Sequence, residues 1–133
     1  MQLNEHTLGS KLSFDTIWAQ RNSRQNTMST PYRLVMTTCD SKDNAKHIAA
    51  HLVLNKLAAC VNILPQLESI YMWQGEVTQS DEFKLLIKTK SALVNDVIEV
   101  IQTEHSYDVP EVQVIEITDG AQQYFNWMEE VLN

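Results

Sequence analysis

From Tyr32 onward the apolar positions change period in a definite order. Arg33-Leu34-Val35-Met36-Thr37-Thr38 is β-prone and mostly apolar, which predicts a buried strand. Ser41 is placed to cap a helix, with Asp43 in its first turn. Ala45, Ile48, Ala49, Leu52 and Val53 follow helical spacing as one buried face, and the helix is expected to end near Lys56 and Leu57. A second strand runs from about Ala59 to Trp73. Its Pro65 cannot donate to a ladder and so marks an edge or a bulge. Gln74-Gly75 supplies a turn. A third strand follows from Glu76 to Lys90, with Phe83, Leu85 and Ile87 alternating onto one face and a polar Thr78–Asp81 section expected to bulge or fray. Ser91 is expected to cap a second helix, with Leu93, Val97, Val100 and Ile101 on one side. Pro110 excludes helix from the His105–Pro110 connection. Val112 to Ile117 reads as a fourth strand. After the Asp119-Gly120 turn, Tyr124, Trp127, Met128 and Val131 form the stripe of a terminal helix.

The order β-α-β-β-α-β with a final helix predicts an α+β, ferredoxin-like sandwich in which both main helices cover one face of a four-stranded antiparallel sheet. The hairpin is longer than the typical strand of about 5–6 residues, so part of it should overhang. Tyr71, Met72 and Trp73 lie near its tip. With apolar residues left on the other sheet face, this predicts self-association. Residues 1–30 differ: they are rich in Asn, Gln, Ser and Thr and lack a sustained period. They are expected to be a flexible extension or leader, with one short helical turn at Phe14, Ile17 and Trp18 and with Met28 as a candidate natural start. Residues 31–133 form the domain.

Charge narrows the function. The 133 residues carry 17 acidic against 10 basic side chains, a net charge of −7. Phosphate neutralisation needs a basic face, so nucleic acid is not the expected partner, and anionic lipid is disfavoured for the same reason. No apolar run approaches the roughly 20 residues that span a bilayer. With no secretory signal evident, the expected compartment is the cytoplasm.

Candidate chemistry is sparse. The 3 glycines, Gly9, Gly75 and Gly120, are too scattered for a phosphate loop, and no G-x-S-x-G or C-x-x-C pattern occurs. No enzyme signature remains. Cys39 follows the first strand, where a thiol can bind a soft metal. Cys60 opens the second strand as a core residue. The strand directions place the two sulfurs on the order of 15–20 Å apart, too far for a disulfide. His47 and His51, four apart on the first helix, lie opposite its apolar face and read as solvated. Glu104-His105-Ser106-Tyr107-Asp108-Val109-Pro110-Glu111 packs an imidazole, a phenol and several carboxylates into one constrained connection. That suits a divalent metal or acid–base chemistry.

Four segments together resemble one family. Lys56-Leu57-Ala58-Ala59-Cys60-Val61-Asn62, Ser69-Ile70-Tyr71-Met72-Trp73-Gln74-Gly75, Leu86-Ile87-Lys88-Thr89 and His105-Ser106-Tyr107-Asp108-Val109-Pro110-Glu111 are similar to the CutA family of divalent-cation tolerance proteins. Tyr124-Phe125-Asn126-Trp127 agrees, and the resemblance covers Tyr32 to Asn133. It implies a ferredoxin-like homotrimer whose hairpins cover exposed sheet, with Tyr71 and Trp73 at the interface. It implies binding of divalent cations, copper or zinc, and no enzymatic reaction. The family's copper pattern has a cysteine ending the first strand and a histidine pair followed by proline. Here those positions hold Thr37, Glu104-His105 and Ser106, so the expected ligands are His105, Glu104 and Cys39. Such a set, with a harder oxygen donor, would favour zinc or manganese over Cu(I). The alternative is a PII-like small-ligand sensor whose inter-subunit cleft uses Lys88, Tyr107 and Glu111.

Overall fold

A computed structural model describes residues 13–17 and 30–133. Phe14–Ile17 forms a helical turn, and both Phe14 and Ile17 are exposed. Of the expected leader, residues 1–12 and 18–29, with Trp18 and Met28 among them, lie outside the described residues.

The domain runs β1 (Tyr32–Cys39), α1 (Lys42–Leu54), β2 (Cys60–Trp73), β3 (Glu76–Lys90), α2 (Val94–Glu104), β4 (Gln113–Glu116) and α3 (Gln122–Leu132). The sheet order is β2-β3-β1-β4 and every neighbouring pair is antiparallel. This is the expected ferredoxin-like arrangement.

Strand alternation divides the sheet into two unlike faces. Val35, Cys39, Leu85 and Ile87 point to one side and pack with Ala45, Ile48 and Leu52 of α1 and with Val97 and Ile101 of α2. The intervening residues, such as Leu34, Met36, Leu86 and Lys88, point to the other side. Helix α3 closes one end of that second face. Tyr32 stacks on Phe125 with centroids 4.4 Å apart, and Lys90 Nζ meets Glu129 Oε1 at 3.0 Å. A Cβ on Gly120 would come within 2.6 Å of the Phe125 ring, so close approach requires glycine there.

Local details refine the expectations. Ser41 Oγ accepts the Asn44 N–H, as a capping serine should. Helix α1 stops at Leu54, earlier than expected, because Lys56 takes a left-handed φ of 56°. The Lys56 and Leu57 N–H groups then bond back to Val53 and Leu52, a Schellman closure that usually announces itself with glycine. Val53, expected to be buried, is exposed on the rim of the stripe. Ser91 opens a 3-10 turn (Ser91–Leu93) and makes no side-chain cap, so α2 begins at Val94. The stripe of α3 includes Phe125 and Leu132 as its buried members beside Met128.

The hairpin is long, with strands of 14 and 15 residues. Its bulge falls at Pro65-Gln66 on the edge strand, where the register shifts between Leu64 and Leu67 and Gln66 has φ 60°. The Thr78–Asp81 section stays in register instead of fraying. Gln74 and Gly75, both with positive φ, make a two-residue turn. β1 pairs with β3 only as far as Phe83, so the distal half of the hairpin projects beyond the rest of the sheet. Cys39 and Cys60 lie opposite Phe83 and Lys88 of β3, about 17 Å apart along that strand. Both thiols are free.

Candidate functional site

The end of β1, the end of α2 and the connection after it converge on one corner. Helix α2 ends because His105 leaves helical geometry, with φ −75° and ψ 145°, while its N–H still bonds to Ile101 O. Asn44 of α1 fixes the strand of connection that follows. Its Nδ2 donates to Glu104 O, and its Oδ1 accepts the Ser106 N–H. Ser106 Oγ donates to Asp40 Oδ1 at 2.9 Å. These bonds aim the His105 ring at the end of β1.

His105 Nε2 lies 2.7 Å from Thr38 O and 3.7 Å from Cys39 Sγ. Its Nδ1 accepts the Tyr107 N–H at 3.0 Å. A carbonyl can only accept, so Nε2 carries the proton and the ring is held in that neutral tautomer. Burial pushes the Cys39 thiol up to about 11, with the charges of Asp40 and Glu82 adding to the effect. At neutral pH it is a thiol.

Thr38, one residue earlier, points to the opposite face. Its hydroxyl donates to Glu111 Oε2 at 3.1 Å, and Lys84 Nζ lies 3.6 Å from Glu111 Oε1. Nearby, Tyr107 Oη donates to Glu82 Oε2 at 3.0 Å. The phenol is held well above its ordinary pKa, first by burial and then by the Glu82 carboxylate that accepts its proton. Thr38, Glu82, Tyr107 and Glu111, with Tyr71 and Trp73 from the hairpin, line a cleft of about 790 Å³.

The expected site residues therefore divide among four places. Cys39 and His105 meet. The Glu104 carboxylate turns the other way, to His47 Nε2 at 2.9 Å and His51 Nδ1 at 3.6 Å, so the two histidines expected to be merely solvated share an acid. Among the described residues no three His, Cys, Asp or Glu side chains form a ready cage for a metal ion. Tyr107 and Glu111 share the cleft with Tyr71 and Trp73. Lys88 lies elsewhere, with its ammonium 5.7 Å from the Tyr124 ring centroid, and Lys84 takes the place beside Glu111. Strand alternation carries Glu82, Lys84 and Lys88 on the same face of β3 and so could have offered Glu82 and Lys84 as candidates. The Asn44 and Asp40 contacts had no signal in the sequence, because 62 and 66 positions separate each of them from Ser106.

The family model described as "CutA1 divalent ion tolerance protein" matches residues 33–131. Divalent-cation tolerance protein CutA of Thermus thermophilus is 42% identical over 97 residues, 73% of this chain and 94% of its own length. Chloroplastic protein CutA of Arabidopsis thaliana is 36% identical over 122 residues, 92% of this chain and 67% of its own length. The solved structure of CutA1 from Oryza sativa superposes with a TM-score of 0.76 at 36% identity, covering 80% of this chain and 98% of that one. With a family model matching residues 33–131 and a relative 42% identical over 73% of this chain and 94% of its own length, this chain belongs to the CutA1 divalent ion tolerance family.

Proposed function

We propose that the chain works as a homotrimer that binds copper at Cys39 and His105 and so contributes to tolerance of divalent cations. The observation that carries this reading is the 3.7 Å separation of Cys39 Sγ and His105 Nε2. Typical metal–sulfur and metal–imidazole bonds are about 2.3 and 2.0 Å, so a single ion between the two atoms can reach both at a bent angle. A thiolate is a soft donor and an imidazole a borderline one that suits copper, and with Glu104 turned toward α1 its carboxylate does not harden the set. Copper fits such a pair better than zinc, which takes four ligands in a structural site. Loading requires the thiol to lose its proton and the ring to release Thr38 O. Because the thiol is pushed up to about 11, apparent affinity should rise about tenfold per pH unit through neutrality as that proton is displaced.

Trimer formation is supported by the exposed distal hairpin, where Met72, Trp73 and Val77 are each more than half exposed. The compartment does not follow from the family, since relatives are named as chloroplastic and as periplasmic.

Calorimetric titration of the full chain with copper and with zinc tests the reading. Cys39→Ser and His105→Ala should each abolish copper binding, and Glu104→Gln should leave it intact. Copper binding that survives both of the first two variants overturns the assignment. A second reading, a small-ligand sensor, is favoured by the cleft beside Tyr107.

A further inference from the structure

The outer surface of α1, on the helix-covered side of the sheet, carries a cluster that the copper reading leaves unused. Asn44, His47 and His51 recur at helical spacing and share one face, beside the buried stripe of Ala45, Ile48 and Leu52. That face meets the end of α2. Asn44 Nδ2 donates to Glu104 O at 3.0 Å and so holds the last residue of α2 against α1. Glu104 turns one carboxylate oxygen to each histidine, Oε2 to His47 Nε2 at 2.9 Å and Oε1 to His51 Nδ1 at 3.6 Å. A groove of about 290 Å³ runs alongside, lined by the acids Asp96, Glu99 and Glu104 and by neither lysine nor arginine. The carbonyl end of α2 adds partial negative charge at the same place. All of these residues lie on α1 and α2, away from the distal hairpin that carries Tyr71 and Trp73.

From this arrangement we infer that His47, His51 and Glu104 form a second cation site, for a divalent ion of the zinc class, with water completing the coordination. Two imidazoles four residues apart on a helix can grip one ion between adjacent turns, and two histidines with one glutamate are a known donor set for zinc. Bonds of about 2.0–2.1 Å in tetrahedral geometry set neighbouring donor atoms about 3.3 Å apart, and the two histidine–carboxylate distances fall on either side of that value. As the side chains stand they form no ready cage, since each histidine faces a different oxygen. Closing on an ion needs only side-chain rotation, and the room is there: His47 is 59%, His51 35% and Glu104 31% exposed. The nitrogen donors disfavour magnesium and calcium, which seek oxygen, and the absence of sulfur disfavours Cu(I). The oxygen donor expected to harden the His105 set thus serves the histidine pair instead. The site does not depend on copper at Cys39 and His105.

The test uses the full chain, freed of metal by a chelator that is then removed. Zinc is titrated by calorimetry into Cys39→Ser, which lacks the copper pair. One ion per chain should bind. His47→Ala, His51→Ala and Glu104→Gln, each added to that background, should weaken it at least tenfold, with far-ultraviolet circular dichroism unchanged. Cobalt(II) serves as a coloured probe of the same site. It should give visible d–d bands that these three substitutions remove, and no thiolate-to-cobalt charge-transfer band. Zinc that binds equally well after His47→Ala and His51→Ala together overturns the site, and so does zinc that binds the natural chain but not Cys39→Ser. Binding that falls with the histidines but is untouched by Glu104→Gln also overturns it, leaving a bare histidine pair.

Discussion

The two halves of the β2–β3 hairpin have the same backbone and opposite fates. In the proximal half, Leu85 and Ile87 are fully buried beneath two helices. In the distal half, Trp73 is 61% and Val77 74% exposed, although both are as apolar as the residues inside. What separates them is only the presence of a neighbouring element. Sheet hydrogen bonds hold the hairpin to its tip, but hydrophobic stabilisation requires a surface to pack against. The proximal half therefore serves the stability of one chain, and the distal half is left available for association.

The comparison breaks most visibly at Leu85. Leu85→Ala removes a fully buried side chain and should cost about 2–5 kcal/mol, read as a lower urea midpoint at fixed protein concentration. A loss under 1 kcal/mol would mean the helix-covered face is not the core that its burial indicates. Trp73→Ala should act on assembly instead. In the proposed trimer it should cost about 2 kcal/mol or more per interface, so light scattering should find smaller species whose far-ultraviolet circular dichroism is unchanged. A trimer of undiminished concentration dependence would place the interface elsewhere.

The smallest effect concerns pH. Cys39 holds its proton more tightly folded than unfolded, with its pKa pushed from 9.0 to about 11. The folded chain thus carries the extra proton between those values. Its contribution to stability is complete below about pH 9 and declines as pH rises toward 11, at no more than about 1.4 kcal/mol per unit. Tyr107, also raised, adds to the same trend above pH 10. Chemical denaturation between pH 9 and 10 should therefore show a slope that Cys39→Ala removes. An equal slope in both proteins would assign it to other groups.

The elements were legible because each reports its own environment. Alternation at Phe83, Leu85 and Ile87 and the 3.6-residue recurrence of Ala45, Ile48 and Leu52 are imprints of burial on one side. Boundaries were less legible where an unusual residue performs the local task. Lys56 adopts the left-handed conformation usually left to glycine, and the 3-10 turn at Ser91 stands in for a cap. The site was legible in part. The richness of the His105–Glu111 connection was visible in its composition, and Cys39 was a candidate by its chemistry. The rotation of Glu104 toward His47 and His51 was not, since the choice between the end of β1 and helix α1 depends on side-chain direction across a packed interface. Lys84 replaces Lys88 beside Glu111 for a related reason: both are on the same face, and only the pairing register brings Lys84 opposite Thr38.

By itself the sequence determined the number and order of the elements, which faces they bury, the overhanging hairpin and the likeness to the CutA family. Local propensity and apolar periodicity are properties of neighbours along the chain, and they suffice for these. The tertiary structure decided which distant side chains meet. Cys39 and His105, 66 positions apart, come together because β1 ends where α2 ends. Glu82 is buried against Tyr107 beside an aromatic cleft because the connection after α2 folds over β3. Such pairings depend on register, crossover and side-chain direction, which only the packed chain sets.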